Sequence, residues 1–244
     1  MKRVLSCLIG LVVAVGLVGT GGAQSAARTY RVGMLWSSDD RDGTSARRVE
    51  VFQRALSSDG YVVGRNVVLE HRHAAGNLER FGVLASELVA AKVDAIVASS
   101  PLSIRAARQA TATIPIVMIN GDPAMFASFA QPGANITGLT ALQEELAAKQ
   151  VELLTEAVPG LTRTCFGTPG AARAGGLIEY VPSGDELYRR AAGFVAKILK
   201  GAHASDLPVE QPTLFELSLN LKTARALRLS LPQTLMVRAD HVIE

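Results

Sequence analysis

From Tyr30 onward, short runs rich in aliphatic and β-branched residues alternate with stretches that repeat apolar groups every three or four positions. A strand that is followed by a helix and then by another strand pairs in parallel, so this alternation restricts the chain to an α/β fold with an open, doubly wound parallel sheet. Residues 31–36, 67–70, 95–98, 115–119 and 135–139 read as strands. Residues 44–58, 79–92, 101–111 and 143–157 read as helices, the first with Val49, Phe52 and Leu56 on one face. Asp122 and Pro123 open a short helix that ends near Gly133. Beyond Gly160 the rhythm breaks: residues 163–174 hold Gly167, Pro169 and Gly170 without apolar periodicity and read as a loop. A helix returns at 185–200 with Leu187, Ala191, Phe194, Val195 and Ile198 on one face. Phe215, Leu217 and Leu219 then alternate like a half-buried strand, and Asn220 caps a helix closed by Pro232.

The first residues bear on compartment. Lys2 and Arg3 precede an apolar run over 4–18 and small residues up to Ala27, the order of a secretory signal peptide, with cleavage expected after Ala27. The run is shorter than the roughly 20 residues of a membrane span. Cys7 would leave with it, so Cys165 alone remains and no intramolecular disulfide forms. The expected mature protein is periplasmic and not membrane-embedded. The net charge of +3 includes Lys2 and Arg3, and the other basic residues are scattered without interleaved aromatics, which argues against nucleic acid as a partner.

In an open parallel sheet, ligands bind at the carboxyl ends of the strands. The candidates there are Ser37 and Ser38, Ser99 and Ser100, and Asn120, Gly121 and Asp122. Ser99 and Ser100, at a helix start, suit either a ligand carboxylate or a plain cap. Asp122 suits either a ligand ammonium or an N-cap before Pro123. Trp36 could stack on a ligand or belong to the core. His71 and His73 lie two apart on a strand without a clear third ligand, so no metal is expected. A GxSxG elbow, a P-loop, an HExxH pair and a GxGxxG turn after the first strand are all missing, and the chain is read as a non-enzyme.

The stretch GDPAMFASFAQPGANITGL over 121–139 closely resembles the signature of a family of ABC transporter substrate-binding proteins with the type I periplasmic-binding fold. RVGMLWSS, ASELVAAKVDAIVASS and the run from DLPVEQPTLFELSLNLKTARALRLSLPQ to the end are similar to the same family's beginning and close. The resemblance implies two α/β lobes that trap a small polar solute, such as an amino acid, and deliver it to an ABC permease and its ATPase without a cofactor. It places lobe-one contacts at Ser37, Ser99, Ser100 and Asp122. AGGLIEYVPS resembles a segment returning to the cleft, which makes Tyr180 a candidate contact from the other side.

The family places a full set of second-lobe elements where this chain has only residues 159–173. The expected division is therefore a signal peptide at 1–27, a complete first lobe at 28–140, and crossover helices with a truncated second lobe at 141–244. Such a remnant would leave the helix beginning at Asp185 and the strand from Phe215 short of neighbours. The alternatives are a family member that has lost ligand binding and, less favoured, a doubly wound enzyme.

Overall fold

The structure, a computed structural model, describes residues 28–38, 44–125, 128–130, 132–141, 143–160 and 170–244. The signal-peptide segment, Cys165 and most of the 163–174 loop lie outside the described residues.

Five parallel strands form the main sheet: β1 (Tyr30–Trp36), β2 (Val67–His73), β3 (Ala95–Ala98), β4 (Ile116–Gly121) and β5 (Ile136–Thr140), in the order β2-β1-β3-β4-β5. Pairing with the whole of β1 carries β2 three residues beyond its expected end, so His71 and His73 stand opposite Met34 and Trp36. Helix α1 (Thr44–Ser58) covers one face, and α2 (Phe81–Ala90) and α3 (Pro101–Ala110) cover the other. The strands are apolar on both sides, as burial between two helical layers demands. Val32, Met34 and Trp36 point to the α1 side, while Leu35 points to the α2 side. Gly33 admits α2 closely, since a Cβ there would meet the Leu88 side chain at 2.9 Å.

The helix expected from Asp122 to Gly133 is, among the described residues, only the single 3-10 turn Pro123–Met125. The Asp122 carboxylate accepts the Ala124 N–H at 2.9 Å and the Asp122 carbonyl accepts that of Met125 at 2.9 Å, which closes one turn.

Helix α4 (Gln143–Ala157) leads to a second sheet of three strands, β6 (Ile178–Pro182), β7 (Phe215–Asn220) and β8 (His241–Ile243), with β6 antiparallel and β8 parallel to β7. Two short helices, α6 (Leu221–Ala226) and α7 (Gln233–Arg238), join β7 to β8. Leu153, Ala157, Leu217, Leu219 and Leu235 form the small core of this part.

Between β6 and β7, α5 (Gly184–Leu199) returns to the first sheet, packs along α1 and crosses β3, β4 and β5. Its Leu187, Ala191, Phe194 and Val195 join the same core as Val32, Phe52 and Leu56. The expected shortage of neighbours is thus corrected for both elements: α5 buries its apolar face on the first sheet, and β7 buries Leu217 and Leu219 in the second core. Residues around Glu210 then extend the edge of the first sheet, where Glu210 N donates to Gly138 O at 2.9 Å and Thr140 N to Glu210 O at 3.0 Å.

Candidate functional site

The strand order reverses between β1 and β3, because the chain moves outward from β1 to β2 and then returns past β1. Segments that leave such a boundary in opposite directions open a crevice at the carboxyl ends. The register Leu35↔Ala98, continued by two residues, sets Ser37 beside Ser100, and the Ser37 hydroxyl donates to Ser100 Oγ at 3.1 Å. Ser37, Ser99 and Ser100 are half-buried and Ser38 is exposed, so the strand ends are open to solvent.

Ser100 caps α3. Its Oγ accepts the Ser103 N–H at 3.2 Å, and Ser103 Oγ accepts the Ser100 N–H at 3.0 Å. The Ser100 hydroxyl donates to Ser103 Oγ at 3.0 Å, and the Ser103 hydroxyl donates to the Ser100 carbonyl at 2.9 Å. Each hydroxyl has one proton to give, so this relay consumes its protons internally. What it offers a guest is oxygen lone pairs, chiefly those of Ser37.

Trp36 is 3 % exposed and stacks within 4° of parallel on Tyr188 of α5, ring centres 5.5 Å apart. His71 and His73 stack beside it. The Trp36 indole N–H donates to His71 Nδ1 at 3.0 Å, and His73 Nδ1 lies 3.1 Å from the Ser38 carbonyl. Of the two roles open to Trp36 from sequence, the structure gives it the core one. Burial pushes the Tyr188 hydroxyl above the ordinary tyrosine range, opposed by hydrogen bonding with the Ser99 side chain and by the Arg48 guanidinium.

Asp122 follows β4, the strand next to β3, whose end carries Ser99 and Ser100. It is exposed, caps the turn after β4, and borders a cavity of about 410 Å³ lined by Arg105, Arg108, Gln109, Ala124 and Met125. Tyr180 belongs to the second sheet, where it stacks on Phe215 with ring centres 5.6 Å apart and packs against the Leu153–Leu217 core. Its carbonyl accepts from the Gln150 side chain at 2.9 Å. The structure therefore brings Ser37, Ser99 and Ser100 together, with Asp122 on the turn after the neighbouring β4 and Tyr180 in the second sheet.

Asn120, one of the strand-end candidates, and two residues that the sequence reading did not single out bear on this site. Asn120, at the end of β4, takes a left-handed φ of 59° and its half-buried side chain has no partner among the described residues. Asn is one of the few side chains that accept this conformation readily. Tyr188 and Arg48 are the others, and periodicity held a signal for each. Tyr188 lies three residues before Ala191 on the buried face of α5, and Arg48 lies four before Phe52 on that of α1.

Among the described residues no helix is long and apolar enough to cross a membrane. Over 91 residues the chain is 35% identical to the Tyrosine-binding protein of Clostridioides difficile (strain R20291), a stretch that is 36% of this chain and 26% of that protein. The chain thus matches only about a quarter of that relative's length. Among solved structures, a conserved domain protein from Vibrio cholerae O1 biovar El Tor superposes with a TM-score of 0.77 at 19% identity, over 88% of this chain and 100% of that one. An ABC domain in complex with L-Trp from Streptococcus pneumonia superposes with a TM-score of 0.69 at 17% identity, over the same shares of 88% and 100%. These likenesses establish the periplasmic-binding-like α/β fold. The profile of the family described as "ABC transporter substrate binding protein" matches residues 41–166 and 165–243, and the chain belongs to that family of binding proteins.

Proposed function

We propose that this chain is the extracytoplasmic solute-binding component of an ABC importer, and that it carries a small polar solute of the amino-acid class to a permease and its ATPase. The observation that carries the reading is the open row of strand ends at the β1/β3 reversal, in a chain of this family. Ser37, Ser99, Ser100 and Asp122 are its proposed lobe-one contacts and Tyr180 its contact from the second lobe. A tyrosine-binding relative and an L-Trp-bound structural neighbour support an amino acid as the solute. The leader over residues 1–27, with its basic start and apolar run, supports export.

A shortened second lobe is part of the same reading, supported by the three-stranded second sheet and the family match in two pieces. It also favours a second reading, a family member whose trap no longer closes on a ligand, since closure needs two opposed surfaces. Thermal unfolding against a panel of the common amino acids, L-tyrosine and L-tryptophan included, separates the two. A ligand that binds only the folded chain raises Tm with concentration. A dose-dependent rise supports the importer reading, and a flat response across the panel supports the second.

A further inference from the structure

Arg48 lies in α1 near the carboxyl end of β1, four residues before buried Phe52. Its half-buried guanidinium sits 5.7 Å from the centre of the Tyr188 ring and makes no hydrogen bond or ion pair with any described residue. The other arginines around it are paired: Arg47 with Asp185, Arg189 with Glu186, and Arg190 with Glu210. A contact over an aromatic ring engages the face of a guanidinium and leaves its five N–H donors in need of acceptors.

The donors are turned towards the start of α5. A Cβ placed on Gly184 would stand 3.4 Å from Arg48 Nε and 3.6 Å from one terminal nitrogen. At that end the N-cap residue Ser183 is only 9 % exposed, and its hydroxyl makes no capping bond and has no partner among the described residues. The carboxylates of the first turn, Asp185 and Glu186, are already taken by the arginines named above. A cation without an acceptor among the described residues, a serine hydroxyl not engaged in capping and the positive end of a 16-residue helix therefore meet beside Tyr188, which contacts Ser99 in the serine row.

We infer that Arg48, with Ser183 beside it, is the anion anchor of this site and receives a carboxylate group of the solute. The inference rests on the solute-binding reading and adds to it the residue that takes the solute's carboxylate. A carboxylate fits better than a phosphate dianion, because Asp185 and Glu186 keep two negative charges at the same helix end. The serine relay, whose protons are spent, is left to accept from the donor groups of the same solute.

The test uses the folded chain, its Arg48→Gln and Arg48→Lys variants, and two probes. Trp36 is the single tryptophan and stacks on the ring that Arg48 covers, so its emission reports on the anchor. Sodium acetate is titrated against sodium chloride at matched ionic strength, and the amino-acid panel is run beside the corresponding α-amides. Circular dichroism checks that each variant is folded, with Arg48→Lys as the charge-preserving form that still lacks the planar fork.

The expected result is a saturable acetate response in the wild type, weaker in Arg48→Lys and gone in Arg48→Gln. Any amino acid that binds should lose roughly 10-fold to 100-fold in affinity in Arg48→Gln, the loss of one charge-assisted contact, while its amide binds both proteins equally weakly. An Arg48-dependent acetate response with a silent panel keeps the anchor and overturns the solute reading. A panel amino acid that binds Arg48→Gln as tightly as wild type does the reverse. No acetate response in the wild type also overturns the anchor.

Discussion

Gly138 lies in the NITGL part of the family-like stretch, with φ 126° and a position against β4 that leaves no room for a side chain. A Cβ there would stand 2.2 Å from the Met118 carbonyl oxygen and 2.7 Å from its nitrogen. Both atoms are backbone, held between β3 and β5 by parallel pairing, so the clash cannot be relieved by a rotamer change. Gly64 offers the comparison: its φ is 84° and a Cβ would meet nothing within 4 Å. Gly64→Ala should therefore report the conformational cost alone, about 1 kcal/mol or slightly more. Gly138→Ala should add overpacking, typically about 1–3 kcal/mol, for a total of roughly 2–4 kcal/mol beside a usual domain stability of about 5–15 kcal/mol. Urea unfolding followed by circular dichroism and Trp36 emission measures both variants. Because Gly138 supports the irregular end of β4, where the register shifts between Met118 and Gly121, Gly138→Ala should also disturb any solute binding. Equal destabilisation by the two substitutions would refute the argument, for it would show that β4 yields to the added carbon.

Ser100→Ala removes the cap of α3 and the acceptor for Ser37, and chemical denaturation should register a loss of about 1 kcal/mol, within roughly 0.5–2 kcal/mol. Thr140 buries its hydroxyl without a partner among the described residues, so Thr140→Val should be neutral or stabilise by about 1 kcal/mol; a clear loss would reveal an unrecognised hydrogen bond. Tyr188, nearly fully buried, holds its proton more tightly in the folded chain than an exposed tyrosine does, because burial disfavours the phenolate. Its contribution to stability is therefore intact below the unfolded value and is lost as pH rises above it. Tyrosinate absorbance from Tyr188 should appear together with alkaline unfolding and not before it, and Tyr188→Phe should move that unfolding to higher pH.

The elements of the first sheet were legible in the residues alone, because their identity rests on local spacing. Phe52 and Leu56 repeat at helical intervals, and the β3 run is apolar on both faces and bounded by a serine cap and a proline. The same local logic located Ser37, Ser99 and Ser100 at strand ends. Which elements become neighbours was set by packing between distant segments. The spacing of α5 shows an apolar face but not the sheet it covers, so its return to α1 was invisible until the chain had been followed through β6. Strands β6 and β8 owe their extended form to β7, a partner distant in sequence. Asp122 and Tyr180 were chosen for their chemistry, and packing placed Asp122 beside a cavity lined by Arg105 and Arg108 and stacked Tyr180 on Phe215. Arg48 and Tyr188 meet across 140 positions of chain, and no periodicity within either helix encodes that contact. Local propensity acts over one or two turns, whereas a binding site is made where segments far apart in sequence are forced together to bury their apolar faces.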